Sequence, residues 1–125
     1  MKVLALDYGA ARTGVAVSDA TGTVARPLEI VARAASDRGL ARVLELIRGE
    51  EAELVVVGLP LTLRGEHGAQ AAETERFVER LRTAVDVPVE VYDERFTSVL
   101  AGGDDACAAA HLLTSYLQWA GARER

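Results

Sequence analysis

The sequence predicts an α/β fold that begins with a β-hairpin and continues as alternating helices and strands. Two short apolar runs, Val3 to Leu6 and Thr13 to Ser18, are separated by a polar turn containing Gly9, which is typical of a hairpin. The unbroken, β-branched run Leu54 to Gly58 is typical of a strand covered on both faces, as in parallel sheets. Because a helical pattern precedes this run, we expect a β-α-β crossover.

The predicted order of elements is β-β-β-α-β-α-β-α. After the hairpin its members are Thr23 to Val31, a helix capped by Ser36, Leu54 to Gly58, Gln70 to Thr83, Val87 to Tyr92, and a last helix from Asp104 or Asp105 through Leu117 or Trp119. Pro27 indicates that the third strand is an edge strand or carries a bulge, because proline cannot donate to the hydrogen-bond ladder. Ser36 is followed by apolar residues at the spacing of a helix with one buried face.

Length and composition indicate one globular domain over residues 1–125. No apolar run approaches the length of a membrane span, and Met1 leads into a strand rather than a signal peptide. The lone Cys107 excludes a disulfide framework and a cysteine-based zinc site. We therefore expect a cytosolic protein. Its net charge of −5 disfavours a domain that holds nucleic acid by bulk charge alone, although bound divalent cations can reverse the local field.

Acidic residues stand at three predicted element ends. Asp7 ends the first strand, Asp93 and Glu94 end the fifth, and Asp104 and Asp105 open the last helix. Asp104 suits a helix cap. Helical steps from Asp105 reach the predicted apolar stripe, which consists of Ala109, Leu112, Leu113 and Tyr116. Asp105 is therefore expected at the N-terminal end of the buried face. The helix dipole explains an acid in the first turn but not one on the inward face.

Convergence of these acids would make a metal site. Ligands of open α/β sheets gather outside the carboxyl ends of the strands, so Asp7 and the Asp93/Glu94 pair are expected to meet there. Clustered carboxylates repel one another unless a cation lies between them. Their hard oxygen atoms select Mg²⁺ or Mn²⁺, and a pair of such ions is the usual apparatus of phosphodiester hydrolysis. The pattern favours a metal-dependent nuclease.

Four sequence blocks resemble the signature blocks of the YqgF family of Holliday-junction-resolvase-like proteins. They are Leu6 to Asp19, Val57 to Leu61, Asp93 to Ser98 and Asp105 to Leu117. The resemblance implies a ribonuclease H-like fold, with a five-stranded mixed sheet in the order 3-2-1-4-5 flanked by helices. It also implies a bacterial cytosolic nuclease that matures the 5′ end of pre-16S ribosomal RNA and has possible activity on branched DNA. In that family the catalytic and metal-binding acids match Asp7, Glu94 (or Asp93) and Asp105.

Two arginines beside the acids, Arg12 and Arg95, are candidate substrate-binding residues. Either guanidinium is suited to clamp a phosphate bidentately or to pair with a neighbouring acid. The family pattern has a further helix and a basic loop where this chain has only Phe96 to Gly103. We therefore expect weak binding to bare nucleic acid, with affinity supplied by a second subunit, as in a homodimer, or by the ribosomal precursor.

Two other functions fit parts of the pattern. The opening hairpin also resembles the phosphate-binding hairpin of ATP-dependent phosphotransferases, but those proteins close two such domains around the nucleotide. A non-catalytic module that binds RNA or ribosome precursors is the second alternative, and the filled acidic positions argue against it. His67 is interpreted as a solvated loop residue and Cys107 as a small packing residue.

Overall fold

The computed structural model describes residues 1–59, 68–93 and 105–123, and in the last segment it describes the side chains of residues 108–121. The elements are β1 (Val3–Asp7), β2 (Arg12–Ser18), β3 (Ala25–Ala32), α1 (Asp37–Gly49), β4 (Leu54–Leu59), α2 (Ala69–Ala84), β5 (Val89–Asp93) and α3 (Asp105–Arg123). Their order is the predicted one. Among the described helices, none has the length and apolar character needed to cross a membrane.

The strands form a five-stranded mixed sheet in the order β3-β2-β1-β4-β5. The β1–β2 and β2–β3 pairs are antiparallel, and the β1–β4 and β4–β5 pairs are parallel. This arrangement confirms the ribonuclease H-like fold expected from the sequence blocks. The carboxyl ends of β1, β4 and β5 consequently lie at one edge of the sheet, which we call the carboxyl edge.

Pro27 lies in β3, at one side of the sheet, where a missing amide donor is tolerated. The β2–β3 register also shifts there, because Val15 pairs with Glu29 whereas Ala16 pairs with Pro27. Leu28 is thus the extra residue of a β-bulge. The edge position and the bulge were the two predicted explanations for this proline, and both are present.

Two strands begin later than predicted. The third strand was expected from Thr23 but begins at Ala25, because the Asp19 carboxylate accepts hydrogen bonds from the backbone N–H groups of Thr23 and Val24. These bonds hold the two residues in the turn. The fifth strand was expected from Val87 but begins at Val89, after a proline that has no N–H to donate.

Alternation along β1 divides its side chains between the two faces of the sheet. Leu4 and Leu6 are fully buried in a cluster that also contains residues of α1 and α2, whereas Val3 and Ala5 belong to a cluster with α3. The buried residues of α3 are Ala109, Leu112, Leu113 and Tyr116, which is the predicted stripe. The sheet is therefore covered by α1 and α2 on one face and by α3 on the other.

Ser36 is the N-cap of α1, as predicted. Its side-chain oxygen accepts a hydrogen bond of 3.0 Å from the backbone N–H of Gly39, which satisfies one of the free donors of the first turn. The cap fixes where the chain leaves β3 and turns into the helix. That turn lies at the carboxyl edge, because β3 runs in the same direction as β1.

Candidate active site

Asp7 is the last residue of β1 and lies at the carboxyl edge. Val3 and Ala5 pack against α3, so alternation places the partly exposed Asp7 on the same face. Its partner in β2 is Gly14, which has no side chain to cover the carboxylate. The carboxylate therefore stands at the end of the sheet, on the α3 side, where solvent reaches it.

The side chains of β5 also alternate between the two faces. Tyr92 belongs to the α3 cluster, and Glu90 accepts a 2.7 Å hydrogen bond from the Tyr116 hydroxyl of α3. Val89 belongs to the opposite cluster. By the same alternation Asp93 lies on the α1/α2 face, away from Asp7.

The first turn of α3 lies toward the carboxyl edge. The opposite end of the helix borders a groove of about 650 Å³ together with the first residues of the parallel strands, as shown by its lining residues Val3, Leu54, Glu90, Leu117 and Ala120. Because α3 runs from the carboxyl edge toward this groove, its first residue, Asp105, begins near the end of the sheet that carries Asp7. Asp105 is also four residues before the buried Ala109, the helical spacing from which its inward position is predicted.

Several predicted site features lie outside the described residues. These are Glu94, Arg95, His67 and the Phe96 to Gly103 connection, and the side chains of Asp105 and Cys107. Within the parts of the chain that are described, no three acidic, histidine or cysteine side chains come together as a metal site. The metal-binding set Asp7, Glu94 and Asp105 therefore stays a prediction.

A buried threonine holds the turn that follows Asp7. The Thr13 hydroxyl accepts from the backbone N–H of Gly9 and donates to the Gly9 carbonyl, both at 3.3 Å, and the Thr13 residue is fully buried. A Cβ atom at Gly9 would collide with the carbonyl oxygen of Arg12, so only glycine fits this close approach. The sequence analysis did not assign Thr13 a role, although its place in the β-hairpin block was a usable signal.

Tyr8 anchors the other side of the same turn. Its ring stacks on Phe77 with centroids 4.7 Å apart, and its hydroxyl donates a 3.1 Å hydrogen bond to Glu73 Oε1 in α2. Burial, together with this hydrogen bond to a carboxylate, raises the pKa of the Tyr8 phenol. The sequence analysis missed this contact because the two residues are 65 positions apart.

Arg12 is the first residue of β2 and is exposed. It precedes Gly14, the partner of Asp7, by two residues in the chain. Because β2 runs antiparallel to β1, Arg12 stands at the carboxyl edge. This placement puts Arg12 at the edge where the sequence predicts a phosphate contact beside Asp7. Of the two arginines predicted to bind substrate, Arg12 and Arg95, Arg12 is the one among the described residues.

Comparisons with known proteins agree with this architecture. A family model described as "RuvX: Holliday junction resolvase" matches residues 1–104. A protein of Chloroflexus aggregans named "Putative pre-16S rRNA nuclease" is 46% identical over 99 residues, which cover 79% of this chain and 70% of that protein. One of the same name from Desulforudis audaxviator is 37% identical over 132 residues and 94% of each chain. For a Chloroflexus aurantiacus relative the match spans only 65% of its length.

The solved structure of Thermus thermophilus RuvC in complex with a Holliday junction substrate has a TM-score of 0.63 to this chain. The two are 21% identical, and the superposition covers 97% of this chain and 96% of that one. At this identity the likeness supports the fold alone. The family prediction made from the four sequence blocks is confirmed by the family model and the curated relatives.

Proposed function

Because this chain belongs to the RuvX Holliday junction resolvase family, we propose that it is a metal-dependent phosphodiester hydrolase acting on pre-16S ribosomal RNA. The reaction is hydrolysis of the RNA backbone near the 5′ end of the mature sequence, carried out in the cytosol by a single nuclease domain over residues 1–125. The curated relatives, which are named for this activity, support the choice of substrate.

The observation that carries this proposal is the position of Asp7. It ends the central strand β1 at the carboxyl edge, on the face covered by α3, and α3 begins with Asp105 near the same edge. Helical spacing predicts the Asp105 carboxylate on the same face as Asp7, and two carboxylates there would favour a divalent cation.

The third acid in this proposal is Glu94 rather than Asp93. On β5, Glu90 and Tyr92 face α3, and Asp93 belongs to the opposite face. Asp93 is therefore left outside the proposed site. Glu94, the other acid predicted at the end of this strand, takes its place as the third ligand in the proposal.

The donor set fits Mg²⁺ or Mn²⁺, since carboxylate oxygens are the ligands that these hard cations prefer. When bound, a pair of such ions would activate water and stabilise the charge of the attacked phosphate. The chain's own contribution in this proposal is to supply Asp7, Glu94 and Asp105 as the ligands. Thr13 and Gly9 fix the turn behind Asp7.

Arg12 and Arg95 have a different role in the proposal, which is to hold the substrate phosphates in place. Arg12 stands at the carboxyl edge beside Asp7, where a guanidinium can donate two hydrogen bonds to one phosphate. Branched DNA is a second candidate substrate, favoured by the description of the matching family model. A homodimer would supply further contacts to either substrate.

An assay on purified protein tests the proposal. Structured pre-16S RNA fragments, single-stranded RNA and four-way DNA junctions are incubated with Mn²⁺, with Mg²⁺, or with a chelator. We expect cleavage of the RNA fragments that requires the metal. Binding to the RNA with no cleavage under any condition would contradict the enzyme and favour the non-catalytic module, and ATP binding by calorimetry would favour the phosphotransferase.

A further inference from the structure

Three arginines form a positively charged rim at the carboxyl edge, which we call the arginine rim. It consists of Arg12 at the start of β2, Arg33 directly after β3, and Arg38 in the first turn of α1, and all three are exposed. Arg33 joins the rim through its backbone, because its N–H donates a 3.0 Å hydrogen bond to the carbonyl of Ala11. The rim therefore continues the edge that carries Asp7.

Arg33 has an unusual backbone conformation for its residue type. Its φ angle is +47°, in the left-handed region that favours glycine or asparagine. The conformation is held from both sides, because the Arg33 carbonyl accepts hydrogen bonds from the N–H and the hydroxyl of Ser36, at 2.9 and 2.7 Å. Gly39 packs so closely on this carbonyl that a Cβ atom would not fit there. The fold thus imposes the strain whatever side chain is present.

A left-handed conformation at a residue other than glycine or asparagine makes Arg33 a candidate for a role of its side chain. Arg42 and Arg80 illustrate the contrast, since Arg42 pairs with Glu29 and Arg80 with Asp37. Among the described residues, the guanidinium groups of Arg33 and Arg38 take part in no ion pair. Both charges are therefore available to an external anion.

The position of Arg33 relative to Asp7 suits the backbone of a bound strand. Asp7 pairs with Gly14, and Gly14 pairs with Ile30, which is three residues before Arg33. Arg33 is therefore about 10 Å across the sheet from Asp7 and about 10 Å beyond it. The resulting separation of about 14 Å places Arg33 beyond the nucleotide that contacts Asp7.

We propose that Arg33, with Arg38 beside it, is a phosphate-binding residue that holds the nucleic-acid backbone a few nucleotides from the bond cleaved at Asp7. This assignment rests on the proposed nuclease function and adds the path of the strand, which runs from Asp7 across the ends of β2 and β3. It also explains the residue type at position 33, because the retained guanidinium outweighs the strain of its backbone.

The test is the variant Arg33→Gly, for which we expect a higher melting temperature and a lower affinity for RNA. Relief of the positive φ angle raises the melting temperature by a few degrees. Affinity for a fluorescein-labelled single-stranded RNA, measured by anisotropy between about 50 and 200 mM salt, falls about fourfold near 0.15 M. The slope of log affinity against log salt becomes shallower by about 0.7, the value for one phosphate contact on a single strand. Arg33→Lys retains most of the wild-type slope.

Two control variants separate the loss of the Arg33 phosphate contact from the effects of relieving a positive φ angle or removing a surface charge. Glu51 has a φ angle of +55° at the opposite end of α1, so Glu51→Gly raises the melting temperature without weakening RNA binding. Arg48→Gln removes an exposed positive charge from the last turn of α1, far from the carboxyl edge, and leaves the slope unchanged.

Arg33→Asn repeats the test with a second residue that tolerates this conformation. If Arg33→Gly and Arg33→Asn bind RNA with wild-type affinity and slope while the wild-type protein cleaves RNA, the arginine contact is wrong and the nuclease function stands. If the wild-type protein neither binds nor cleaves RNA or junction DNA, the proposed function fails and the contact fails with it.

Discussion

At the scale of single residues, Thr13 shows how the fold prepares Asp7. A hydroxyl inside the sheet bonds both polar backbone groups of Gly9, so the turn after Asp7 has one conformation. The aromatic ring of Tyr8 fixes the other side of the turn against α2. Thr13 and Tyr8 therefore hold the turn after Asp7 through contacts that do not involve the Asp7 carboxylate. The carboxylate can then serve as a ligand.

We predict that Thr13→Val lowers the free energy of unfolding by about 1 kcal/mol, because the partly buried N–H of Gly9 loses its acceptor. Urea denaturation measures this loss. RNA cleavage is expected to fall by more than the small stability change explains, since the turn no longer orients Asp7. Thr13→Ser keeps the hydroxyl and is expected to restore cleavage; equal activity in Thr13→Val and the wild type would contradict the positioning role.

The raised pKa of Tyr8 predicts a pH dependence of stability. Because the folded protein holds this proton more tightly than the unfolded chain, the stabilisation is complete below the ordinary phenol pKa of 10.0 and is lost as pH rises through the higher folded value. Above about pH 10 the wild type should therefore lose stability more steeply than Tyr8→Phe. Thermal unfolding between neutral and alkaline pH measures the difference, and parallel curves for the two proteins would contradict the prediction.

At the scale of elements, α3 and β5 decide which acids share a face with Asp7. The inward stripe of α3 was predictable from helical spacing, because Ala109, Leu112 and Leu113 recur at i+3 and i+4 steps. The face of Asp93 was not predictable, since alternation relates neighbours within a strand and gives no absolute direction. Only the packing of Tyr92 and Glu90 against α3 supplies that direction.

The role of α3 predicts a metal effect on stability. If Asp105 supplies a ligand from the first turn of this helix, Mn²⁺ raises the melting temperature of the wild type by mass action. The rise should be absent in Asp105→Asn and present in Asp19→Asn, whose carboxylate belongs to the β2–β3 turn at the opposite edge. A full Mn²⁺ shift in Asp105→Asn, measured by differential scanning fluorimetry, would exclude Asp105 as a ligand.

At the scale of the whole molecule, the order of elements and the sheet order were predictable, whereas several contacts that shape the site were not. The strands are predictable from apolar runs such as Leu54 to Gly58. The sheet order is predictable from the family resemblance of the four sequence blocks. The Tyr8–Glu73 bond joins distant parts of the chain. The left-handed backbone of Arg33 was not predictable, because sequence patterns indicate that conformation by a glycine or an asparagine and position 33 has neither.

Net charge also has to be considered for the molecule as a whole. The chain carries −5 in total, yet Arg12, Arg33 and Arg38 gather at the carboxyl edge. Ion pairs such as Lys2–Glu50 and Arg26–Glu50 instead occupy the surface at the beginning of β1 and β3. An acidic protein can therefore present a nucleic acid with a local basic rim beside the acids proposed to bind metal.

The central claim is that cleavage depends on Asp7 and the α3 face, and one pair of variants tests it most directly. RNA cleavage in Mn²⁺ is measured for Asp7→Asn and for Asp93→Asn, with circular dichroism as the check on folding. We expect Asp7→Asn to stay folded and to lose about 10²-fold or more of the cleavage rate. Asp93→Asn is expected to cleave like the wild type because its side chain belongs to the opposite face. Cleavage by Asp7→Asn at the wild-type rate, or an equal loss in both variants, would contradict it.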